Sequence, residues 1–236
     1  MSISLKRARA IFVKDYKEFS RNYGISIMLL VPILFAFLFR TAGPSFPGAI
    51  GFLLNISFVL LTSFAQACLI AEEKERNTLR SLMMTPATTM DVLVGKSTLV
   101  FVMSAIVLAI ATYILGYEPP SIWAFAIAII LSIILYTAVG TICGLFSKTV
   151  LEASLAIIPV AMVFSAPPVA TILFGDFPIF KMLDYTPSIQ LVTLLNIPHT
   201  GFTIGDLLKP LLIILIWTVV LTIVSVILYQ RRLKDE

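Results

Sequence analysis

The sequence predicts an all-α polytopic membrane protein with six transmembrane helices. Of its 236 residues, 59% are hydrophobic and only 13% charged, whereas a water-soluble domain needs about 25% charged residues to wet its surface. The apolar residues run on without interruption instead of recurring at helix or strand periods. The cations, finally, gather beside alternate ends of those runs. These observations exclude an ordinary soluble domain and a disordered binder, and residues 1–236 read as one transmembrane domain.

Residues 1–23 come first. Leu5, Ala8, Phe12, Tyr16, Phe19 and Tyr23 recur at steps of three and four, while Arg7, Lys14, Lys17 and Arg21 occupy much of the other side. That is the pattern of a helix lying in the membrane surface. It can serve as a plain anchor or also touch a cytoplasmic partner. Charge-free windows then occupy 22–39, 41–71, 97–117, 119–147, 153–175 and 210–230. Each supplies about 20 helical residues, enough to cross roughly 30 Å of hydrocarbon. Backbone groups in lipid must be satisfied within the segment, so these are helices.

The first span contains Pro32, whose missing amide proton predicts a bend. The second carries Asn55, Thr62 and Gln66 on an otherwise apolar helix. Asn55 and Gln66 are eleven residues apart, about three turns, which predicts a shared face directed into protein or along a water-filled path. Simple hydrogen bonding between helices is the plainer role. The fourth span ends in Gly140-Thr-Ile-Cys-Gly144, a small-residue step that permits close helix approach. The fifth includes Pro159 and should break near Ala166-Pro167-Pro168. Residues 174–209 hold few charges among many apolar residues, so they should dip back into the outer leaflet as re-entrant helices before the last span.

With both termini in the cytoplasm, fourteen of the 17 lysines and arginines lie inside and only Arg40, Lys181 and Lys209 outside. This positive-inside bias predicts a multi-pass protein of the plasma membrane, of prokaryotic type, with cytoplasmic termini. The formal net charge of +4 therefore describes topology, and no polar arm or domain offers a nucleic-acid surface. Cys68 and Cys143 fall inside predicted spans, without the pairing or spacing of a disulfide framework or zinc site. A cleaved signal peptide is not expected, because the first apolar run comes after a charged amphipathic stretch. The lone His199, in a proline-broken segment, reads as a surface or packing residue. Gly95-Lys96-Ser97 resembles the end of a phosphate-binding loop, but Met90 stands where its first glycine is required.

The densest charge lies in residues 72–94, between spans two and three. Glu72, Glu73, Glu75 and Arg76 open it, with Glu72 and Arg76 four apart in the favourable order for a helix pair. Thr78 comes next, then Leu79 and Leu82 as an apolar stripe, and Thr85 and Pro86 as the start of a second helix. A firm turn and an apolar stripe beside charges suit a docking surface better than a solvated loop.

The run Glu72-Glu73-x-Glu75, Thr78-Leu79, Leu82, Thr85-Pro86, Leu93 and Gly95-Lys96 resembles the loop after the second span in type-2 permeases of ATP-binding cassette exporters. The interface helix, six spans and outer re-entrant helices extend the resemblance over nearly the whole chain. Asn77 stands where many members have glycine. The resemblance implies a permease subunit, not an enzyme, that forms the translocation path in a complex of two permease chains, identical or not, with two separate cytoplasmic ATPases. It implies no cofactor bound by this chain, with ATP and Mg held by the ATPase partner. Glu72, Glu73, Glu75, Arg76, Thr78, Leu79, Leu82, Thr85 and Pro86 would couple to that ATPase through a cytoplasmic coupling helix. Asn55, Thr62 and Gln66 are candidates for the path, and Tyr185, Pro187, Gln190 and Asn196 for contacts in the outer region. The expected cargo is amphiphilic, such as a drug, an antimicrobial peptide or a lipid-like molecule. The competing readings are a stand-alone membrane enzyme, for which His199 is the sole histidine, and a non-transporting scaffold or immunity protein.

Overall fold

The computed structural model describes residues 4–21, 26–42, 48–76, 88–168 and 178–235. Its helices are α1 (Leu5–Arg21), α2 (Leu30–Ala42), α3 (Ala49–Glu75), α4 (Thr89–Leu115), α5 (Ile122–Phe146), α6 (Val150–Ser165), α7 (Pro187–Leu195) and α8 (Ile204–Asp235). Four of them, α3, α4, α5 and α8, are long and apolar enough to cross a membrane, and the shorter apolar helices Ile27–Thr41 and Val150–Ser165 occupy the places of the first and fifth spans. The protein is thus an all-α polytopic membrane protein.

Local chemistry sets the helix ends. Thr88 and Asp91 form a reciprocal cap at the start of α4, and Gly116 ends it at φ 74°, a left-handed conformation that glycine adopts without strain. The Ser121 hydroxyl caps α5 and Thr149 caps α6, which stops at Ser165 before Ala166-Pro167-Pro168. The carbonyl that Pro32 leaves unpaired lies in a 3₁₀ turn, Ile27–Leu29, so the expected bend becomes a tightened entry to α2. The last helix begins earlier than its apolar window, because Asp206 accepts hydrogen bonds from the Thr203 amide and hydroxyl and starts α8 before Pro210.

α3 is the central helix: 83% of its apolar window is buried, against 17% for α8. It packs on α5, α6 and the flanks of α4, while α8 covers the other side of α5. The α3–α5 crossing is made possible by glycine. A Cβ at Gly140 would collide with the Ser63 carbonyl oxygen and come within 2.9 Å of Gln66 Cβ, and one at Gly144 would stand 2.7 Å from the Ala67 carbonyl oxygen. Ser63 Oγ donates to the Tyr136 carbonyl at 2.8 Å, and the Phe58 and Tyr136 rings stack 5.2 Å apart. Phe164 meets Tyr136 edge-on and continues the contact to Trp217.

Both ends of the bundle are laced across helices. At the end shared by α1 and the last turns of α8, Tyr229 packs with Ile70, Leu93 and Leu145. At the far end Arg40 donates to the Ile114 carbonyl, Tyr117 to the Leu195 carbonyl and the Trp217 indole to the Tyr185 carbonyl. There a 3₁₀ helix, Pro178–Tyr185, and α7 form the segment before α8.

Gly140→Val should destabilise the bundle by about 2 kcal/mol or more, since a branched side chain in this crossing must push two helix backbones apart. Thermal unfolding of the purified protein in detergent reads the loss, and a variant that melts with the parent would refute the crossing.

Candidate functional site

The charged end of α3 is built into the bundle rather than laid on it. Glu72 pairs with Arg76 at 2.7 Å, the expected i,i+4 arrangement, with Arg76 exposed. Glu73, one of the residues expected to couple to the ATPase, is buried, and its carboxylate lies 3.1 Å from Lys96 and 3.4 Å from Lys14. Helix geometry explains it, because consecutive residues turn by roughly 100° and the side that continues from Leu69 and Ile70 faces the core. Lys74 donates to the Leu145 and Ser147 carbonyls at 2.8 and 2.7 Å, closing the C-terminus of α5. Glu75 accepts the Val150 amide at 2.8 Å, at the N-terminus of α6 where a carboxylate also meets the favourable end of the helix dipole. Thr78, Leu79, Leu82, Thr85 and Pro86 lie outside the described residues.

Lys96 is 1% exposed, in the second turn of α4. Three oxygens surround its ammonium: Glu73 Oε1 at 3.1 Å, Asp15 Oδ2 at 3.2 Å and the Leu69 carbonyl at 3.2 Å. Asp15, on α1, is fully buried and also lies 3.5 Å from Lys14. Burial pulls the Lys14 ammonium down, but Glu73, Asp15 and Glu18 outweigh it and hold that group above the ordinary lysine value. Tyr229 is buried beside this cluster, and its hydroxyl has no hydrogen-bond partner among the described residues.

Asp15 was not legible as a site residue, and it changes the reading of α1. The face buried against protein consists of Ala8, Ile11, Asp15 and Phe19, while Leu5 and Tyr16 of the apolar stripe are 83% and 53% exposed. Gly95 lets α1 close onto α4, since a Cβ there would stand 2.9 Å from both the Ala8 carbonyl and Ile11 Cβ. The ion pair then turns Asp15 inward. An acid at the centre of an i, i+4, i+8 stripe was the available signal.

The polar residues of α3 point in different directions. Asn55 donates to the Gly51 and Ser188 carbonyls, Thr62 shares a 2.9 Å hydrogen bond with Ser104, and Gln66 donates to Thr141 at 3.0 Å and to Ser97 at 3.4 Å. The common face expected for Asn55 and Gln66 is lost because the backbone widens to π-helical pairing over Phe58–Ser63. Such a turn inserts about one extra residue into the register and rotates the rest of the helix by roughly 100°.

At the far end a cavity of about 970 Å³ is bordered by Asn55, Ser165, Gln190, Asn196, Asp206 and Lys209. Gln190 is buried, with its amide donating to the Asp184 carbonyl, Pro187 is buried as the first residue of α7, and Tyr185 and Asn196 are exposed. Among the described residues no group of three His, Cys, Asp or Glu side chains could hold a metal ion.

A family profile described as ABC-2 family transporter protein matches residues 43–227. The chain belongs to that family. No curated protein matches it. As a member of the ABC-2 family it is a membrane transport subunit rather than an enzyme. The matched region of this ABC-2 protein takes in Glu73, Lys96 and the cavity, while α1 with Lys14 and Asp15, and Tyr229, lie outside it.

Lys96→Met in this ABC-2 protein should cost about 3–5 kcal/mol, because it strands Asp15 and Glu73 in a buried site without their ammonium. Detergent melting curves test this; an unchanged midpoint would show that the cluster is solvated.

Proposed function

We propose that this ABC-2 chain is the membrane-spanning subunit of an ATP-driven exporter, working as two permease chains with two cytoplasmic ATPases that carry the ATP and Mg. In this reading α2 and α6 are the first and fifth of six spans, an even number that leaves both termini on one side, and the clustering of fourteen cations supports the cytoplasmic side.

One observation carries the coupling assignment. The end of α3 grips three neighbours at once, with Glu73 on Lys96 of α4, Lys74 on the last carbonyls of α5 and Glu75 on the first amide of α6. A push on residues 77–87 at this end therefore reaches three spans through short polar contacts. Glu72 and Arg76, nearest that segment, with Thr78, Leu79, Leu82, Thr85 and Pro86 beyond them, form the surface that meets the ATPase. Glu73 and Glu75 act behind this surface, passing the displacement inward.

The path runs beside α3. Asn55 borders the far-end cavity together with Gln190 and Asn196, and Thr62 and Gln66 are the ties to α4 and α5 that must be remade when α3 moves. The residues 174–209 cap the outer mouth as re-entrant helices, with Tyr185 exposed to departing molecules and Pro187 shaping the turn. A cavity with mostly apolar walls and a few polar groups suits an amphiphilic cargo.

Pull-down of the chain from native membranes should recover an ATPase, and Glu72→Lys combined with Leu82→Ser should lower that recovery about tenfold, the scale of a lost interface contact, while the chain still inserts. Full recovery with the double variant would refute the docking surface.

A further inference from the structure

The far-end cavity has a polarity that passage of an amphiphile does not require. α7 closes onto α3 there because Gly51 has no side chain: a Cβ would stand 2.8 Å from Val192 Cγ2. The close approach brings the Ser188 carbonyl to Asn55, whose amide nitrogen donates to it at 3.4 Å and to the Gly51 carbonyl at 2.9 Å. Two carbonyls on one side fix which end of the amide is nitrogen, since an oxygen turned toward them would be repelled. Asn55 Oδ1 is therefore directed away from both. Asn55 is 2% exposed, it borders the cavity, and this oxygen has no donor among the described residues.

Other donors around the cavity are spent within the protein. The Gln190 amide donates to the Asp184 carbonyl, the Ser165 hydroxyl to the Asn55 carbonyl and the Thr193 hydroxyl to the Ile189 carbonyl. What the lining offers a guest is mainly acceptor: Asn55 Oδ1 in the interior, and the exposed carboxylates of Asp184 and Asp206 at the rim. Lys209, one turn after Asp206 and also exposed, sets one ammonium against these two carboxylates. Val192 and Phe202 add apolar wall. A volume of about 970 Å³ is at the upper end of ordinary small-ligand sites. A buried acceptor without a donor is costly, and only a guest that brings N–H or O–H groups removes the cost.

We propose that this cavity binds an amphiphile whose head is a primary ammonium group, and that Asn55 selects for its N–H donors. Asp184 and Asp206 attract the positive charge to the mouth, and Asn55 Oδ1 accepts an N–H further in. A primary ammonium has three donors and no acceptor, the complement of this lining. A quaternary ammonium carries the charge without the donors, and a fatty acid carries the opposite charge. The proposal narrows the amphiphilic cargo of the export reading to one chemical class, and its standing as cargo rests on that reading.

The test uses the full chain in phosphatidylcholine nanodiscs, with tritiated dodecylamine as probe at neutral pH, where an alkylamine is protonated. Binding is read by scintillation proximity after subtracting discs without protein. The probe should bind saturably. Unlabelled dodecyltrimethylammonium should compete about tenfold more weakly than dodecylamine, the scale of one hydrogen bond to a charged group, and dodecanoate should not compete. Asn55→Leu should weaken the amine about tenfold and abolish its advantage over dodecyltrimethylammonium, a change that loosened packing alone would not produce. Asp184→Asn combined with Asp206→Asn should weaken both cations alike, since an amide oxygen at position 206 still accepts from Thr203. Melting curves confirm that each variant is folded. Absence of saturable binding, equal competition by all three amphiphiles, or an amine preference that survives Asn55→Leu overturns the proposal. With the copurified ATPase present, dodecylamine should raise ATP hydrolysis in the parent and not in Asn55→Leu. A parent that binds the amine while hydrolysis stays flat overturns its standing as cargo. If no ATPase copurifies, the export reading fails while the binding site stands; if one does and the amine does not bind, the proposal alone fails.

Discussion

α3 can occupy the middle of the bundle because Gly140 and Gly144 leave no side chain between it and α5. In lipid there is no hydrophobic force to drive helices together, so close backbone approach and the dispersion contacts it brings must supply much of the association energy. Ser63 and Gln66 then add hydrogen bonds to α5 across the same crossing. The aromatic chain from Phe58 through Tyr136 and Phe164 to Trp217 extends the contact to α6 and α8. Spans placed around this crossing can keep apolar faces toward lipid, as the exposed isoleucines and valines of α8 do.

The same packing determines what the polar residues of α3 can do. Asn55 reaches α7, Thr62 reaches α4 and Gln66 reaches both α4 and α5, so a change in the rotation of α3 must break ties to all three together. The π-helical turn over Phe58–Ser63 separates the Asn55 half from the Gln66 half. Turns of this kind often occur at functional sites, where they redirect side chains without breaking the helix. Asn55 thereby looks toward the far-end cavity while Gln66 belongs to the charged half of the bundle.

That charged half combines two kinds of electrostatics. Lys74 and Glu75 complete helix ends, where they satisfy backbone groups that have no partner within their own helix. Glu73, Lys96 and Asp15 instead meet inside, where removal of any one leaves the others uncompensated. The first kind holds loops short; the second fixes how three helices stand relative to one another.

The hydropathy of the chain was enough to establish a helical membrane protein, the Glu72-Arg76 pair, the glycine step at Gly140 and the break after Ser165, because each depends on local pattern or on a single residue's backbone chemistry. The motif between spans two and three was enough to identify the family, which the profile over residues 43–227 establishes independently. Three features required the folded chain. Glu73 turned inward because its direction depends on where the helix sits against Lys96. Asp15 became a core residue because its partner lies on another helix, with no fixed spacing to reveal it. The π turn between Asn55 and Gln66 leaves no clear mark in an apolar run. Period and composition are properties of one segment, whereas register and charge pairing between segments exist only once the helices have met.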